Sequence, residues 1–155
     1  MGEDQDFKIE LFLPYLLTMA AEETSYSFQE EYKERYGMLR TEWRVLFHLG
    51  HYGVMTAQEI CARTKIHKTK VSRAVQKLTE KRFLARTTDE DDRRRELLQL
   101  TKAGLEAYRY LKKAAERHDA ALVDLLNKKE EKLLRKALLK LAGLHGKKRK
   151  KKAEG

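Results

Sequence analysis

The segment from Thr56 to Gly104 constrains the fold of this chain more strongly than any other part of the sequence. Two short helical patterns come first, and apolar stretches then flank a loop at 89–95 in which four acidic residues precede three arginines. This order predicts two helices followed by a β-hairpin with an arginine-rich tip. Such an arrangement suits a helix that enters one groove of double-stranded DNA and a hairpin that reaches the next groove.

The first helix of this segment is predicted to begin with a capping box and to end near Thr64. The hydroxyl of Thr56 and the carboxylate of Glu59 are three residues apart, a spacing at which both groups bond to amides at a helix start. A short turn at 65–67 separates this helix from a second one, predicted over 68–81. Its apolar residues fall within a narrow arc of the helical wheel.

The opposite face of the second helix is predicted to contact DNA. Its hydroxyl, amide and guanidinium groups suit base edges, and its lysines suit phosphates. The predicted contact residues are Lys68, Thr69, Lys70, Ser72, Arg73, Gln76 and Lys77. Taken alone, the pattern also fits an ordinary solvated face. The short helix before it and the basic hairpin after it favour the DNA interpretation.

The hairpin is predicted to pair residues 84–88 with 96–100, with Leu98 and Leu100 on one face. The acidic residues at its tip are expected to hold the guanidinium groups through charge-assisted bonds. Asp92 is expected to present Arg94 in this way to a narrow minor groove. The predicted wing residues are Arg86, Asp92, Arg93, Arg94 and Arg95. The alternative is an exposed hairpin whose charges only pair with one another.

Helices are predicted on both sides of this segment. One covers 7–36, where Pro14 is expected to start or kink it. A central helix covers 41–52, and both of its sides are predicted to be buried, with Trp43, Leu46 and Phe47 on one side and Val45, Leu49 and Tyr52 on the other.

The last third of the chain predicts dimerisation. Thr101 is expected to cap a helix that runs to about Leu126, Asn127 to break it, and a further helix to cover 129–141. Their leucine stripes are too apolar for a lone helical hairpin, so packing against the first helix and against a second subunit is expected. Packing within one subunit is the alternative.

Charge and cysteine content narrow the class of protein. Of the net charge of +10, residues 147–152 supply six positive charges and Glu154 removes one, so the remainder carries about +5. A basic tail favours a polyanionic partner, although it also fits a membrane surface, a solvated disordered segment or an artificial addition.

A single cysteine excludes an internal disulfide and predicts a reducing compartment. The sequence has no apolar run of membrane-spanning length, and its amino terminus is acidic, which argues against a secretory signal. We therefore expect a cytoplasmic protein that does not bind a membrane. No metal or cofactor is expected.

Four motifs follow one another along the chain: Trp43-Arg44-Val45-Leu46, Lys70-Val71-Ser72-Arg73-Ala74-Val75-Gln76-Lys77-Leu78, Asp92-Arg93-Arg94 and Leu100-Thr101-Lys102-Ala103-Gly104. Their order and spacing resemble the MarR (multiple antibiotic resistance regulator) family of bacterial winged-helix transcription factors, over about residues 10–142. The resemblance implies a mainly α fold with a small β-hairpin wing, in which a winged helix-turn-helix lobe is joined to dimerisation helices from both chain ends. It also implies that Ser72 and Arg73 contact the groove and that Arg94, oriented by Asp92, contacts DNA from the wing.

The same resemblance implies an obligate homodimer that represses by occupying a pseudo-palindrome. Many such regulators release DNA when a small aromatic or phenolic ligand, or an oxidant, arrives. A single domain over 1–155 follows, with dimerisation helices at 7–36 and 102–142, a winged helix-turn-helix at 41–101 and a basic, disordered tail at 143–155.

A ligand site is predicted beside the central helix, whose polar arc consists of Arg44, His48 and His51. In the MarR family the ligand cavity lies where that helix meets the dimerisation helices and the DNA-binding lobe. The predicted ligand residues are Tyr15, Met19, Tyr26, Trp43, Arg44, His48 and His51. The alternatives are a polar strip that faces solvent and aromatics that pack in an ordinary core.

Two further functions compete with a ligand-controlled repressor. One is a protein that binds nucleic acid by charge alone, mainly through its lysine-rich tail. The other is a redox-responsive regulator that acts through Cys61, but this residue shares a helix face with Ile60 and Thr64 and is expected to be a small buried residue. An enzyme finds no support, because the sequence contains no Gly-rich phosphate loop, no metal constellation and no nucleophile beside an evident base.

Overall fold

A computed structural model of the chain describes residues 6–144. It contains six α-helices and two strands in that range, in the order α1 Leu13–Tyr36, α2 Arg40–Tyr52, α3 Ala57–Thr64, α4 Lys68–Glu80, β1 Leu84–Thr88, β2 Glu96–Leu100, α5 Lys102–Val123 and α6 Lys128–Leu141. The predicted mainly α fold with one hairpin is confirmed. The predicted tail at 143–155 lies outside the described residues except for its first two positions.

The first helix begins later than predicted. Pro14 occupies the first turn of α1, where its missing N–H and fixed φ carry no penalty, so it starts the helix and does not kink it. Residues Ile9–Leu11 form a separate 3-10 turn before it. At the other end Gly37 adopts a left-handed conformation with φ +62° and donates its N–H to the carbonyl of Lys33.

Helix α2 lies at the centre of the core, as its apolar pattern predicts. Val45, Leu46 and Leu49 are buried on it. The predicted burial of Tyr52 is wrong: this side chain is 48 % exposed, and the guanidinium of Arg63 lies 3.9 Å from its ring centroid. A tyrosine at the helix end keeps a polar tip in water while its ring packs against a cation.

Helices α3 and α4 have the predicted helix-turn-helix spacing. Thr56 caps α3 by accepting a hydrogen bond from the amide of Glu59. Lys65 then turns the chain in a left-handed conformation with φ 58°, and His67 caps α4 by accepting from the amide of Thr69. The apolar face of α4 packs into the core through Val71, Ala74, Val75 and Leu78.

The two strands form an antiparallel hairpin over the predicted segments, and the register runs from Leu84 opposite Leu100 to Thr88 opposite Glu96. Leu98 is fully buried and Leu100 packs against the core. A bridge from Met55 to Leu98 attaches the hairpin to the segment before α3. The hairpin therefore has a fixed root on the helical core and a tip that extends from it.

Helix α5 starts under a threonine cap, since Thr101 accepts a hydrogen bond from the amide of Gly104. It ends at Val123, three residues before the predicted end. Asn127 then caps α6 in a reciprocal box with Glu130, so the predicted break is also the start of the next helix. The chain divides into two compact units, Met1–Glu116 and Arg117–Gly155, with the core described above in the first.

Within residues 6–144 no helix combines the length and the apolarity that crossing a lipid bilayer requires.

Candidate nucleic-acid interface

The outer face of α4 is exposed along its whole length. All seven residues predicted to contact DNA lie on it in solvent: Lys68, Thr69, Lys70, Ser72, Arg73, Gln76 and Lys77. The buried face of the helix holds them in place, because four of its side chains are locked in the core. The helix therefore presents lysines for phosphates together with an arginine and a serine for base edges.

Gln76 and Arg86 join this helix to the hairpin. Nη2 of Arg86 donates to Oε1 of Gln76 at 3.1 Å, and Nη1 of the same guanidinium lies 3.5 Å from Glu96 on β2. Nε2 of Gln76 in turn donates to Glu80. Sequence reasoning placed Gln76 and Arg86 on DNA separately and missed this pairing, which depends on the angle between hairpin and helix.

The acidic residues of the hairpin tip hold a different arginine from the one expected. Asp92 accepts from the backbone N–H of Arg94 at 3.0 Å, so it shapes the turn instead of holding the guanidinium. The held guanidinium is that of Arg95, which donates to Glu59 of α3 at 3.2 Å and lies 3.9 Å from Asp89. The predicted pairing of Asp92 with the Arg94 side chain is therefore wrong in its detail.

This arrangement leaves two arginines at the tip for other partners. Neither Arg93 nor Arg94 forms an ion pair within the described chain, and both are exposed. The turn below them is tightened by main-chain bonds from Asp89 to Arg95 and from Arg95 to Asp92. A rigid turn with two unpaired guanidinium groups suits insertion into a minor groove of negative potential.

Glu59 is part of the same assembly, although the sequence predicted only a capping role for it. Thr56 accepts from its amide as expected, but its carboxylate bonds to Arg95. Because both side chains are about half exposed, the pair contributes orientation more than stability.

The seven residues predicted to bind a ligand lie on α1 and α2, and several of them have contacts within the protein. Trp43 lies in an aromatic cluster, with ring centroids 5.2 Å from both Phe28 and Phe47. This is the ordinary core packing that was the alternative for the aromatics. Tyr15, Met19 and Tyr26 are exposed on α1.

The three residues of the polar arc of α2 have different partners in the structure. The guanidinium of Arg44 donates to the carbonyl of Thr64 at 3.0 Å. The ring of His48 donates through Nδ1 to the carbonyl of Arg44 at 2.7 Å, and His51 is exposed beside the ring of Tyr52. Burial lowers the pKa of His48, and the charges of Arg44 and Arg63 lower it further against the opposing effect of the carbonyl bond. The ligand site stays a prediction.

Cys61 is half-buried and packs against the core. It shares its helix with Ile60 and Thr64, which are both buried, as the wheel analysis predicted. No second cysteine exists in the chain, so an internal disulfide switch is excluded. Within the described residues no three His, Cys, Asp or Glu side chains are placed to hold a metal ion.

Sequence reasoning missed the buried ion pair between Glu42 and Lys81. Oε1 of Glu42 lies 2.6 Å from Nζ of Lys81, and the glutamate side chain is only 3 % exposed. Glu42 also accepts from the amide of Leu39, and Lys81 donates to the carbonyl of Gly37. Glu42 at the third position of α2 predicts the cap to Leu39, but no local signal points to a lysine 39 residues away.

Helices α2, α3 and α4 form a helical core, and the hairpin follows the last of them. This arrangement defines a winged helix-turn-helix fold. Residues 36–95, from the end of α1 to the end of the hairpin loop, match the MarR family.

Several solved structures have a similar fold. A MarR/EmrR family transcriptional regulator from an Acinetobacter species is 26 % identical, with a TM-score of 0.78 over 88 % of this chain and 96 % of that one. BpsR of Bordetella bronchiseptica, whose DNA binding is regulated by 6-hydroxynicotinic acid, is 22 % identical, with a TM-score of 0.79 over the same shares. MepR of Staphylococcus aureus, solved with DNA, is 21 % identical, with a TM-score of 0.75 over 86 % of this chain and 98 % of that one. No curated protein sequence matches this chain significantly.

Proposed function

We propose that this protein is a cytoplasmic, sequence-specific transcriptional repressor. It binds a pseudo-palindromic operator in double-stranded DNA as a homodimer. The observation that carries the proposal is the exposed polar face of α4 beside a wing with two unpaired arginines. In the described chain the two surfaces are connected by the bond between Gln76 and Arg86. A major-groove helix and a minor-groove wing therefore have a fixed relative position.

Each predicted contact residue has a distinct task in this proposal. Ser72 and Arg73 read base edges in the major groove, where arginine bonds to guanine through two atoms. The lysines of α4 neutralise phosphates on either side. Arg94 enters the minor groove from a turn shaped by Asp92, with Arg93 beside it. Arg86 and Arg95 act mainly by holding the wing in place.

Two exposed apolar surfaces support the homodimer. At the amino-terminal end, large apolar side chains at 39 % exposure or more include Phe7, Ile9, Leu11, Phe12, Leu13, Leu16, Leu17 and Met19. Helix α6 and the chain around it expose Leu125, Leu133, Leu134, Leu138, Leu139, Leu141 and Leu144. Apolar surfaces of this extent are rare on monomers and mark association sites. A two-fold dimer places two recognition helices on two half-sites about one helical turn apart.

A small aromatic or phenolic effector is proposed to release the DNA. Regulation of the Bordetella relative by 6-hydroxynicotinic acid supports an aromatic ligand. Tyr15 and Met19 lie on the exposed stretch of α1 that is proposed to form part of the dimer interface. The second subunit is therefore expected to complete the effector site. Release of labelled operator by a panel of aromatic acids, measured by fluorescence anisotropy, tests this part.

Sequence discrimination tests the core of the proposal. An operator is selected from a pool of random duplexes, and the affinities for it and for a scrambled duplex are compared near physiological salt. Because a bidentate arginine contact is worth about 1–3 kcal/mol of discrimination, Arg73→Ala is expected to lower the ratio of the two affinities by about 5- to 150-fold. The matched control is Arg109→Ala, an exposed arginine on α5, which is expected to leave the ratio unchanged.

Two outcomes would contradict the proposal. Unchanged discrimination by Arg73→Ala would remove α4 as the recognition helix. A wild-type protein that binds both duplexes equally, with affinity that falls steeply as salt rises, would be a charge-driven binder. Deletion of residues 147–155, which lie outside the described residues, separates the contributions: it is expected to reduce the salt dependence and to leave the preferred sequence intact.

A further inference from the structure

A cavity of about 340 Å³ opens between the start of α2, the turn from α3 to α4 and the first turn of α4. Four of its lining residues carry a fixed positive charge: Arg40, Arg44, Lys65 and Lys70. His67, Thr41 and Ile66 complete the lining, so none of the described residues that line the cavity is acidic. We refer to it as the cationic cavity.

Arg44 is the rigid part of the cationic cavity. It is half-buried, and its guanidinium donates a hydrogen bond to the carbonyl of Thr64. Because this carbonyl is neutral, it does not compensate the positive charge of Arg44. Burial lowers the pKa of Arg44, and the positive charge of Arg40 lowers it further. Arg40 has one carboxylate partner, Glu22 at 3.5 Å, but both side chains are more than half exposed and the pair is weak.

The turn between α3 and α4 supplies the second half of the cavity. Its left-handed residue Lys65 reverses the chain, so that Lys65 and Lys70 line the same cavity as the arginines of α2. Nδ1 of His67 accepts a hydrogen bond from the amide of Thr69, which leaves Nε2 to carry the proton of the neutral ring and to donate. The positive end of the α4 dipole adds to this charge.

This donor set has a definite chemical preference. A lining that holds guanidinium and ammonium groups and no carboxylate favours an oxyanion, and two arginines with two lysines offer more donors than a carboxylate can accept. The cavity has one apolar lining residue, Ile66, so it offers no surface for an aromatic ring. We propose that the cationic cavity binds a phosphate group.

The position of the cavity suggests where the phosphate comes from. Lys70 and Thr41 also line an adjacent groove along α4 whose other walls include Thr69, Arg73 and Lys77. A duplex whose major groove receives α4 has its backbone along that side of the helix. The phosphate has two possible sources. It is a backbone phosphate of bound DNA, an assignment that rests on the proposed function, or it belongs to a free small molecule, an assignment that does not depend on that function.

The first arm of the test measures DNA binding against salt. The double variant Arg40→Gln/Lys65→Gln removes two charges and leaves the Arg44 bond to the backbone. Each lost phosphate contact lowers the magnitude of the slope of log affinity against log salt by about 0.9, so a fall of up to about 0.9 per cavity is expected. The ratio of affinities for operator and scrambled duplex is expected to stay the same, because phosphate contacts carry no sequence information. The matched control is Lys33→Gln/Lys112→Gln, two exposed lysines on α1 and α5.

The second arm uses no DNA. Inorganic phosphate is titrated into the isotope-labelled full chain at constant ionic strength, with chloride as the reference anion, and the amide resonances of Ile66 and Lys70 are followed by NMR. A free phosphate ligand gives saturable shifts that the double variant lacks. The control variant keeps them.

The arms separate the two sources and leave the proposal open to refutation. A lower salt slope in the double variant alone identifies a backbone phosphate, and saturable shifts without a slope change identify a free phosphate. An unchanged slope together with no saturable shifts overturns the phosphate site. A wild-type chain without sequence preference would refute the proposed function, yet it would leave the phosphate titration interpretable.

Discussion

The buried ion pair between Glu42 and Lys81 makes a sharp prediction about stability. The pair ties the start of α2 to the residue that follows α4, and Lys81 also bonds to the carbonyl of Gly37. The perturbation is Lys81→Met, which keeps the length and apolar bulk of the lysine and removes its charge. Glu42 would remain 3 % exposed with a single hydrogen bond, from the amide of Leu39.

The magnitude follows from what is left uncompensated. Removing one partner of a fully buried ion pair costs about 3–5 kcal/mol, because a bare charge stays in the interior. Lys81 itself is 27 % exposed, so water reaches the site and the lower end, about 3 kcal/mol, is expected for Lys81→Met. Glu42→Gln keeps an acceptor for Leu39 and frees a lysine that can rehydrate, so it should cost about 1.5 kcal/mol. Because the two residues interact directly, the double variant should lose about 2.5 kcal/mol, well below the sum of the single losses.

Urea unfolding followed by circular dichroism measures these losses at one fixed protein concentration, since the proposed homodimer would make stability concentration-dependent. The matched control is Lys77→Met, whose partner Glu80 lies 3.7 Å away with both side chains more than half exposed. It should change the free energy of unfolding by less than about 0.5 kcal/mol. A loss of less than about 1 kcal/mol for Lys81→Met, or strictly additive losses in the double variant, would refute the reasoning.

Three further predictions concern other parts of the molecule. Because the folded chain holds the pKa of His48 below its unfolded value of about 6.5, the unfolded state binds more protons below that pH, so stability should fall as pH drops from about 6.5 towards the folded pKa. His48→Gln should reduce the difference in free energy of unfolding between pH 7.5 and pH 5.5. Gly104→Ala should destabilise the fold by about 3 kcal/mol in the same urea assay, since a Cβ there would overlap the carbonyl oxygen of Phe83. Leu16→Glu, on the exposed apolar face of α1, should convert the proposed homodimer to a monomer in sedimentation analysis.

Each of these predictions has an outcome that would contradict it. An identical pH dependence in wild type and His48→Gln would show that this ring titrates alike in both states. Full stability of Gly104→Ala would mean that the carbonyl opposite it can shift freely. A Leu16→Glu protein that sediments as the wild-type dimer would exclude the face of α1 from the interface, and Lys33→Glu on the same helix serves as its charge control.

Much of the helical structure and the hairpin could be predicted because the signals are local. The apolar arc of α4, the caps at Thr56 and Asn127, and the helix start at Pro14 each depend on residues within a few positions of one another. The exposure of the seven α4 residues follows directly from the same arc. The register of the hairpin was also predictable, because Leu98 has to face the core.

The partners of the charged side chains could not be predicted in the same way. Arg95 bonds to Glu59, 36 residues away, and leaves Asp92 to shape the backbone turn. Arg44 points to the carbonyl of Thr64 and belongs to the cationic cavity, although its place on the polar arc of α2 suggested a partner shared with the histidines. Exposed charges have several candidate partners of similar energy, and only the packing angles between elements select one.

The sequence by itself determined the class of this protein: the order of helices and hairpin, the face of α4 and the motifs that resemble the MarR family. Helix periodicity, capping and strand alternation are properties of short segments, so they can be read before any segment has a place in space. Only the tertiary structure decided which arginines of the wing are held and which stay unpaired, how Gln76 connects to Arg86, and that four cations surround one cavity. These outcomes depend on distances between residues far apart in the chain, and such distances exist only once the core has fixed the angles between its helices.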